Sequence, residues 1–319
     1  VMRRGEIVEQ GPAAQVFAEM RHPYTRRLRE ASTHVPARAR RGPSAPETVL
    51  EARAVVVEYR GARPAPVAPR ARLRAARGAS LAVARGEMVA LVGESGCGKS
   101  TLARAALGLE PVSAGAIRLH GEPVDARRGV PNRVRRRAQM VFQDPYGSFD
   151  PRWRVERLVS EPFHLLDAPP TGRDRRARVA EALERVGLSA ADLDKYPHEF
   201  SGGQRQRLAI ARAIAIEPDL VVFDEATSAL DVSIRARILD LLAELSDRMR
   251  LACLFIAHDL ALVRAIADRV VVMRAGRVVE AAPAERVFAA PEASYTRALL
   301  AASPDLEAAL ARRLGAAAA

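Results

Sequence analysis

The chain has 319 residues, 49% apolar and only 4% aromatic, a length that suits one large domain or two small ones around a core of Ala, Val, Leu and Ile. Two cysteines, Cys97 and Cys253, are too few for a disulfide framework or a four-ligand zinc site and fit a reducing compartment, and no apolar run approaches the roughly 18 residues that cross a bilayer. A net charge of +12 admits nucleic acid or an anionic membrane surface as partners, but the arginines are spread widely with no aromatic ladder, which reads as a solvated surface.

Residues 1–32 align without gaps on residues 272–303, and about half the positions are identical. Each copy predicts two short strands around a glycine turn (Gly5, Gly276), a short helix, and a second helix that starts at Tyr-Thr-Arg. The opening of the chain therefore reads like the closing of a domain. Residues 33–48, rich in Pro, Arg and small side chains, read as a linker. Leu50–Tyr59 predicts a Val-rich strand, the proline-containing stretch 60–72 a surface excursion, and Ser80–Ala84 and Glu87–Val92 further strands. Thr101–Leu109 predicts a helix, and Ala116–His120 and Ala138–Phe142 predict strands. Residues 151–200 read as mostly helical, with apolar spacing at Val179, Leu183 and Val186 closed by Gly187. Gln204–Ile216 predicts a helix ended by Pro218. Leu220–Phe223 and Leu251–Ala257 read as buried parallel strands, and Ile234, Ile238, Leu241, Leu242 and Leu245 mark the apolar face of the helix between them. Strands alternating with helices predict a doubly wound α/β core.

Three segments carry chemistry. Gly93-Glu94-Ser95-Gly96-Cys97-Gly98-Lys99-Ser100-Thr101 lies between an apolar strand and a helix. Glycines at this spacing let backbone N–H groups wrap phosphates at a helix N-terminus. Lys99 can reach the β- and γ-phosphates, and the Ser100 hydroxyl can ligate Mg²⁺. Cys97 could be a redox thiol, but it reads better as lending only its backbone to the loop. In the second segment, the strand Leu220–Phe223 delivers Asp224 and Glu225 at its C-terminal end, where ligands of such sheets bind. Asp224 can hold the Mg²⁺ shell, and Glu225 can orient or deprotonate a water. Alone, the pair would read as a cap of the next helix; beside the phosphate loop it reads as a site. The third is Phe200-Ser201-Gly202-Gly203-Gln204, at the start of a helix.

That third segment resembles the signature of ATP-binding cassette proteins, in which Leu usually stands at the place of Phe200. The resemblance implies a P-loop NTPase fold: a RecA-like parallel sheet with helices, an antiparallel β subdomain, and an α-helical signature subdomain at about 151–203. It implies that Ser201, Gly202, Gly203 and Gln204 close over a nucleotide held by an opposite cassette. Gln143 resembles the glutamine that links Mg²⁺ and water to a membrane partner. Ser228-Ala229-Leu230-Asp231 resembles the loop that communicates across the dimer. His258 resembles the histidine that contacts the γ-phosphate, and Tyr59 the aromatic that stacks on adenine. The implied ligands are ATP and Mg²⁺, the metal held by Ser100, Gln143 and Asp224, with Glu225, His258 and Gln143 as the catalytic set.

The segments Gln143–Arg152, Gly93–Thr101 and His22-Pro23-Tyr24-Thr25-Arg26 are similar to those of oligopeptide and dipeptide importer ATPases. The implied organisation is a C-terminal remnant of a preceding cassette at 1–32, a linker at 33–48, a cassette at 49–290, and an importer-type tail at 291–319. Ala293-Ser294 departs from His22-Pro23 in that tail, and no cysteine-rich segment for an iron–sulfur cluster accompanies it. The implied function is to power a peptide-type importer at the cytoplasmic face of the membrane. The implied partners are a second cassette, two permease subunits and, indirectly, a solute-binding protein, with no nucleic acid. The alternative is a soluble cassette ATPase that acts on nucleic acid or in a metabolic complex. The repeat further suggests the late part of a tandem two-cassette protein, in which residues 1–32 mimic residues 272–303 and pack poorly on the main core.

Overall fold

Apolar runs of about five residues, too short for helices, become the middle of one sheet. The computed structural model describes residues 1–38, 47–60, 72–144, 147–226 and 230–303. In chain order, the opening segment holds β1 (Met2–Arg3), β2 (Glu6–Ile7), α1 (Ala13–Glu19) and α2 (Pro23–Ser32). Next come β3 (Thr48–Arg60), β4 (Arg72–Ala84), β5 (Met88–Val92), α3 (Lys99–Ala106), β6 (Ala114–Leu119) and β7 (Glu122–Pro123). They lead to α4 (Asn132–Arg135), β8 (Ala138–Val141), α5 (Val155–Val159), α6 (Gly172–Arg185) and α7 (Gly202–Ile214). The chain continues through β9 (Leu220–Asp224), α8 (Val232–Met249), β10 (Ala252–Ile256) and α9 (Leu260–Ile266). It closes with β11 (Arg269–Arg274), β12 (Arg277–Pro283), α10 (Ala284–Ala289) and α11 (Ser294–Ala302). Short 3-10 turns fill Glu161–Leu165, Ala190–Asp194 and Pro197–Glu199.

The main sheet has the order β12-β11-β5-β10-β9-β8. All of its pairings are parallel except β11 with β12. Because side chains alternate across a strand, its two faces belong to two apolar layers. Met88, Ala90, Val221, Phe223, Cys253 and Phe255 face one layer with α5–α9. Val89, Leu91, Leu220, Val222, Leu254 and Ile256 face the other with α3 and the antiparallel sheet β4-β3-β6-β7. Both faces being covered explains why these strands read as continuous apolar runs. Among the described residues, no helix is long and apolar enough to cross a membrane.

Several bounds differ from the sequence reading. The helix expected at Thr101 begins at Lys99 and ends at Ala106, where the amide of Leu109 turns back to the carbonyl of Arg104. The helix expected over Gln204–Ile216 runs Gly202–Ile214, because Ser201 caps it two residues earlier. The strand expected at Ser80 starts at Arg72, since an Arg/Ala-rich stretch of low β-propensity is drawn in by pairing with β3. Residues 61–71 of the excursion, 39–46 of the linker and 304–319 of the tail lie outside the described residues.

The internal repeat is a structural repeat. The turns at Arg4-Gly5 and Ala275-Gly276 both have positive φ at each residue, the twist that tight hairpins favour. The Glu9 carboxylate accepts from the amides of Arg21 and His22 at 2.9 and 3.3 Å. The Glu280 carboxylate accepts from those of Glu292 and Ala293 at 2.9 and 3.0 Å. Arg3 lies over the Tyr24 ring and Arg274 over the Tyr295 ring. The expectation of poor packing at the N-terminus fits β1, β2 and α1, which bury no residue. It fails for α2, which buries Thr25 and lies against α8. The chain after α2 is also anchored: His34 meets Asp240 at 2.6 Å, and Arg38 inserts into the core.

Candidate functional site

The phosphate loop leaves β5, all five of whose residues are buried, and enters α3 at Lys99. Two of its glycines are structural necessities. Gly93 has φ +146 and Gly98 has φ +104, and a Cβ on either would sit about 2 Å from a backbone carbonyl, at Met273 and Ala75 respectively. The loop is therefore pressed onto β11 and β4. Lys99, 5% exposed, donates from Nζ to the carbonyl oxygens of Gly93 at 2.8 Å and Glu94 at 2.9 Å. Glu94, Ser95 and Gly96 form the outer rim; the buried Cys97 sits behind it, its thiol raised by burial against the opposing pull of Lys99.

β9 lies one strand removed from β5, across β10, and brings its acidic end to the same edge. The Ser100 hydroxyl donates to Asp224 Oδ1 at 2.8 Å, and Arg104 lies 3.6 Å from Asp224 Oδ2. Glu225 turns out of the strand with φ +49, its amide donating to Ile256 O on β10. Its Oε2 accepts from Gln143 Nε2 at 3.0 Å, and His258 Nδ1 stands 3.8 Å from the same oxygen. The Tyr59 hydroxyl donates to Thr101 Oγ1 at 3.4 Å, beside the exit of the phosphate loop. Thus Tyr59, the loop, Asp224, Glu225, Gln143 and His258, far apart in sequence, form one chain of neighbours.

The other expected residues lie apart from that group. Ser201 and Gln204 form a capping box: Gln204 Oε1 accepts from Ser201 N at 3.0 Å, and Ser201 Oγ from Gln204 N at 3.4 Å. Gly203 is packed under Ile234, whereas a Cβ on Gly202 would meet nothing. Asp231 caps α8, accepting from Ile234 N and Ser233 Oγ, and these bonds hold its carboxyl below the usual range. Ser228 and Ala229 of the same loop lie outside the described residues.

The donor set suits a nucleoside triphosphate with a hard divalent cation. A glycine-rich loop at a helix N-terminus and an ammonium match phosphate oxygens. A hydroxyl and a carboxylate in contact match Mg²⁺, which takes few protein ligands and completes its shell with phosphate and water. Among the described residues no group of three or more His, Cys, Asp or Glu could hold a metal by itself. Beside Asp224 and Gln143 opens a groove of about 740 Å³, whose walls include Leu107, Leu109, Phe142, Leu165 and Arg212.

Two residues at this site escaped the sequence reading. Arg104 was unmarked on its helix. Tyr295, from α11, accepts a hydrogen bond from the Glu94 amide at 3.1 Å; the only sequence signal for it was the recurrence of Tyr24 as Tyr295 in the repeat.

Comparison with known proteins identifies the family. A family model described as ABC transporter matches residues 76–228. A second, described as the C-terminal region of oligopeptide/dipeptide transporters, matches at 8–56 and 279–318, each overlapping one copy of the repeat. The chain is 44% identical to the di/tripeptide transport ATP-binding protein DppF of Pseudomonas aeruginosa, covering 82% of this chain and 80% of that one. It is 44% identical to the oligopeptide transport ATP-binding protein OppF of Bacillus subtilis, covering 75% and 79%. It is 42% identical to the peptidoglycan transport ATP-binding protein YejF of Agrobacterium fabrum over 97% of its own length but spans only 56% of that relative. Among solved structures, cbiO1 of Clostridium perfringens, part of an ABC transporter complex, superposes with a TM-score of 0.65 at 30% identity, covering 76% of this chain and 92% of that one.

Proposed function

The chain belongs to the ATP-binding cassette transporter family, and from that premise we propose that it binds and hydrolyses Mg-ATP to power import of peptides or similar small solutes. The observation that carries this reading is the contact chain Ser100–Asp224 and Gln143–Glu225–His258 at the mouth of a phosphate loop. In this mechanism, loop amides and Lys99 hold the β- and γ-phosphates. Ser100, Asp224 and Gln143 would hold Mg²⁺, which when bound would supply positive charge to the phosphate oxygens. Glu225 orients a water and accepts its proton as the oxygen attacks the γ-phosphorus; the bond to the β-phosphate oxygen breaks, leaving ADP and phosphate. Gln143 fixes the Glu225 carboxylate, and His258 contacts the γ-phosphate. Tyr59 stacks on the adenine.

The partner cassette, in the same polypeptide or a separate chain, contributes its own Ser201–Gln204 segment to this site, and Asp231 helps to couple the two. The half-apolar groove beside Gln143 is a suitable seat for a permease element, and so for passing the motion of that glutamine to a membrane partner at the cytoplasmic face. The relatives named above are transport ATP-binding proteins, which favours import over action on nucleic acid.

Two variants test the chemistry. Lys99→Ala removes the ammonium from the phosphates and should abolish ATP binding measured by equilibrium dialysis. Glu225→Gln keeps the shape, should retain binding, and should lose turnover by about 10²-fold or more, the scale of general-base catalysis. Near-normal phosphate release by Glu225→Gln would remove Glu225 from the reaction.

A further inference from the structure

One side chain reaches the phosphate loop from the closing segment of the chain rather than from the nucleotide-binding core. The Tyr295 hydroxyl oxygen accepts from the Glu94 amide at 3.1 Å. That amide belongs to the peptide unit joining Gly93 to Glu94, and the carbonyl oxygen of the same unit accepts from Lys99 Nζ at 2.8 Å. A trans peptide is a rigid plane whose N–H and C=O point in opposite directions. A bond at one edge therefore fixes the direction of the other. The restraint matters here because the unit hangs on Gly93, which has no side chain to resist rotation of the peptide. Tyr295 clamps the outer edge, and the inner edge holds the ammonium.

Tyr295 is itself held in place. It is 8% exposed, and the Arg274 guanidinium lies 4.8 Å from its ring centroid. The start of α11 is pinned by Glu280, which accepts from the amides of Glu292 and Ala293. The same clasp and the same arginine–tyrosine contact recur at Glu9, Arg3 and Tyr24. Presentation of the tyrosine is thus a property of the closing module, made with or without a phosphate loop bonded to it. Burial raises the Tyr295 phenol, so it remains neutral and available as an acceptor near neutral pH.

We propose that Tyr295 is a positioning residue for Lys99, acting through the Gly93–Glu94 peptide, so that docking of the closing module sets the affinity of the phosphate loop for nucleotide. The proposal rests on the nucleotide-binding reading above. It assigns to the closing module a second role beside completion of the sheet edge: undocking α11 frees the peptide to turn and takes the carbonyl away from the lysine.

The test is a double-mutant cycle on the full chain, with ATP affinity measured by displacement of a fluorescent ATP analogue. Tyr295→Phe removes only the hydroxyl and should weaken ATP binding about fivefold, the effect of one hydrogen bond. Glu94→Pro removes the donor N–H, and in that background Tyr295→Phe should cause no further loss. Hydrogen exchange at the Glu94 amide gives an independent reading that does not need the proline variant: protected in the parent, it should become fast in Tyr295→Phe. A tyrosine that merely packs the helix would weaken binding equally in both backgrounds, or not at all, and would leave Glu94 exchange unchanged; any of these results overturns the proposal. A parent protein that fails to bind ATP overturns the nucleotide reading first. A parent that binds, beside a Tyr295→Phe variant that binds equally well, overturns this inference alone.

Discussion

Glu225 occupies the left-handed region, φ +49, where a side chain costs roughly 1 kcal/mol relative to the right-handed basin. The bond from its amide to Ile256 O holds it there, and the turn carries its carboxylate away from the strand axis toward Gln143 and His258. Asp224, one residue earlier, stays in the strand and keeps its carboxylate on Ser100. Two neighbouring acids thus acquire different roles through backbone conformation alone. The cysteines are equally distinguished by place. Cys253 lies in the central strand β10, and burial pushes its thiol up to about 12. Cys97 lies under the phosphate loop, 7% exposed, with its thiol also raised by burial. Since the thiolate is the reacting species, native protein at pH 8 should leave both unalkylated by iodoacetamide, and unfolded protein should take up two labels by mass spectrometry. Rapid labelling of Cys97 in the native state would restore it as a redox candidate.

At the scale of elements, a buried arginine adds to the contacts of α2 and His34 in tying the opening segment to the core. The Arg38 side chain is 3% exposed and ion-paired at 3.0 Å with Asp268, itself 5% exposed. Arg38 also donates to the carbonyls of Gly86 and Ile266. Asp268 in turn accepts from Met88 N, the first residue of β5. Arg38 thus reaches the root of the strand that carries the phosphate loop. Arg38→Ala would leave a buried carboxylate without its main cation, which costs about 3 kcal/mol or more. With each kcal/mol worth about 2–4 °C in a chain of this size, the melting temperature should fall by roughly 6–12 °C in differential scanning calorimetry, and less for Arg38→Lys. A melting temperature within about 1 °C of the parent would mean that the anchor does not form in solution. The sequence reading treated residues 33–48 as a plain linker, because nothing local marks an arginine whose partner is 230 residues away.

At the scale of the whole molecule, the signature segment and the phosphate loop lie apart and make different contacts. Ser201 and Gln204 spend their side chains on each other, capping α7, while the open face at Gly202 remains free of neighbours. A helix N-terminus with a small exposed rim suits a phosphate brought by another cassette. Ser201→Arg places a bulky cation on that rim and removes a cap worth about 1 kcal/mol, while leaving Lys99 and Ser100 untouched. Nucleotide binding to the monomer should persist, and steady-state ATP turnover should vanish. Loss of nucleotide binding by the monomer would show that the segment serves its own loop, against the head-to-tail assembly.

The amino-acid sequence by itself determined the phosphate loop, the acidic strand end, the signature and which segments become core strands. Each depends on residues close together: glycines that permit a tight loop, a β-branched run that demands burial on both faces, a serine that caps the helix it begins. It also exposed the repeat, because two copies of one module leave the same pattern at a fixed spacing. Only the tertiary structure decided what those pieces touch. The meeting of Gln143, Glu225 and His258, the Arg38–Asp268 pair and the bond from Glu94 to Tyr295 join residues from 33 to 230 positions apart. No periodicity encodes such pairs, since they follow from the order in which strands assemble into the sheet. The extension of β4 back to Arg72 was hidden for a related reason: pairing with β3 outweighs the weak strand preference of arginine and alanine.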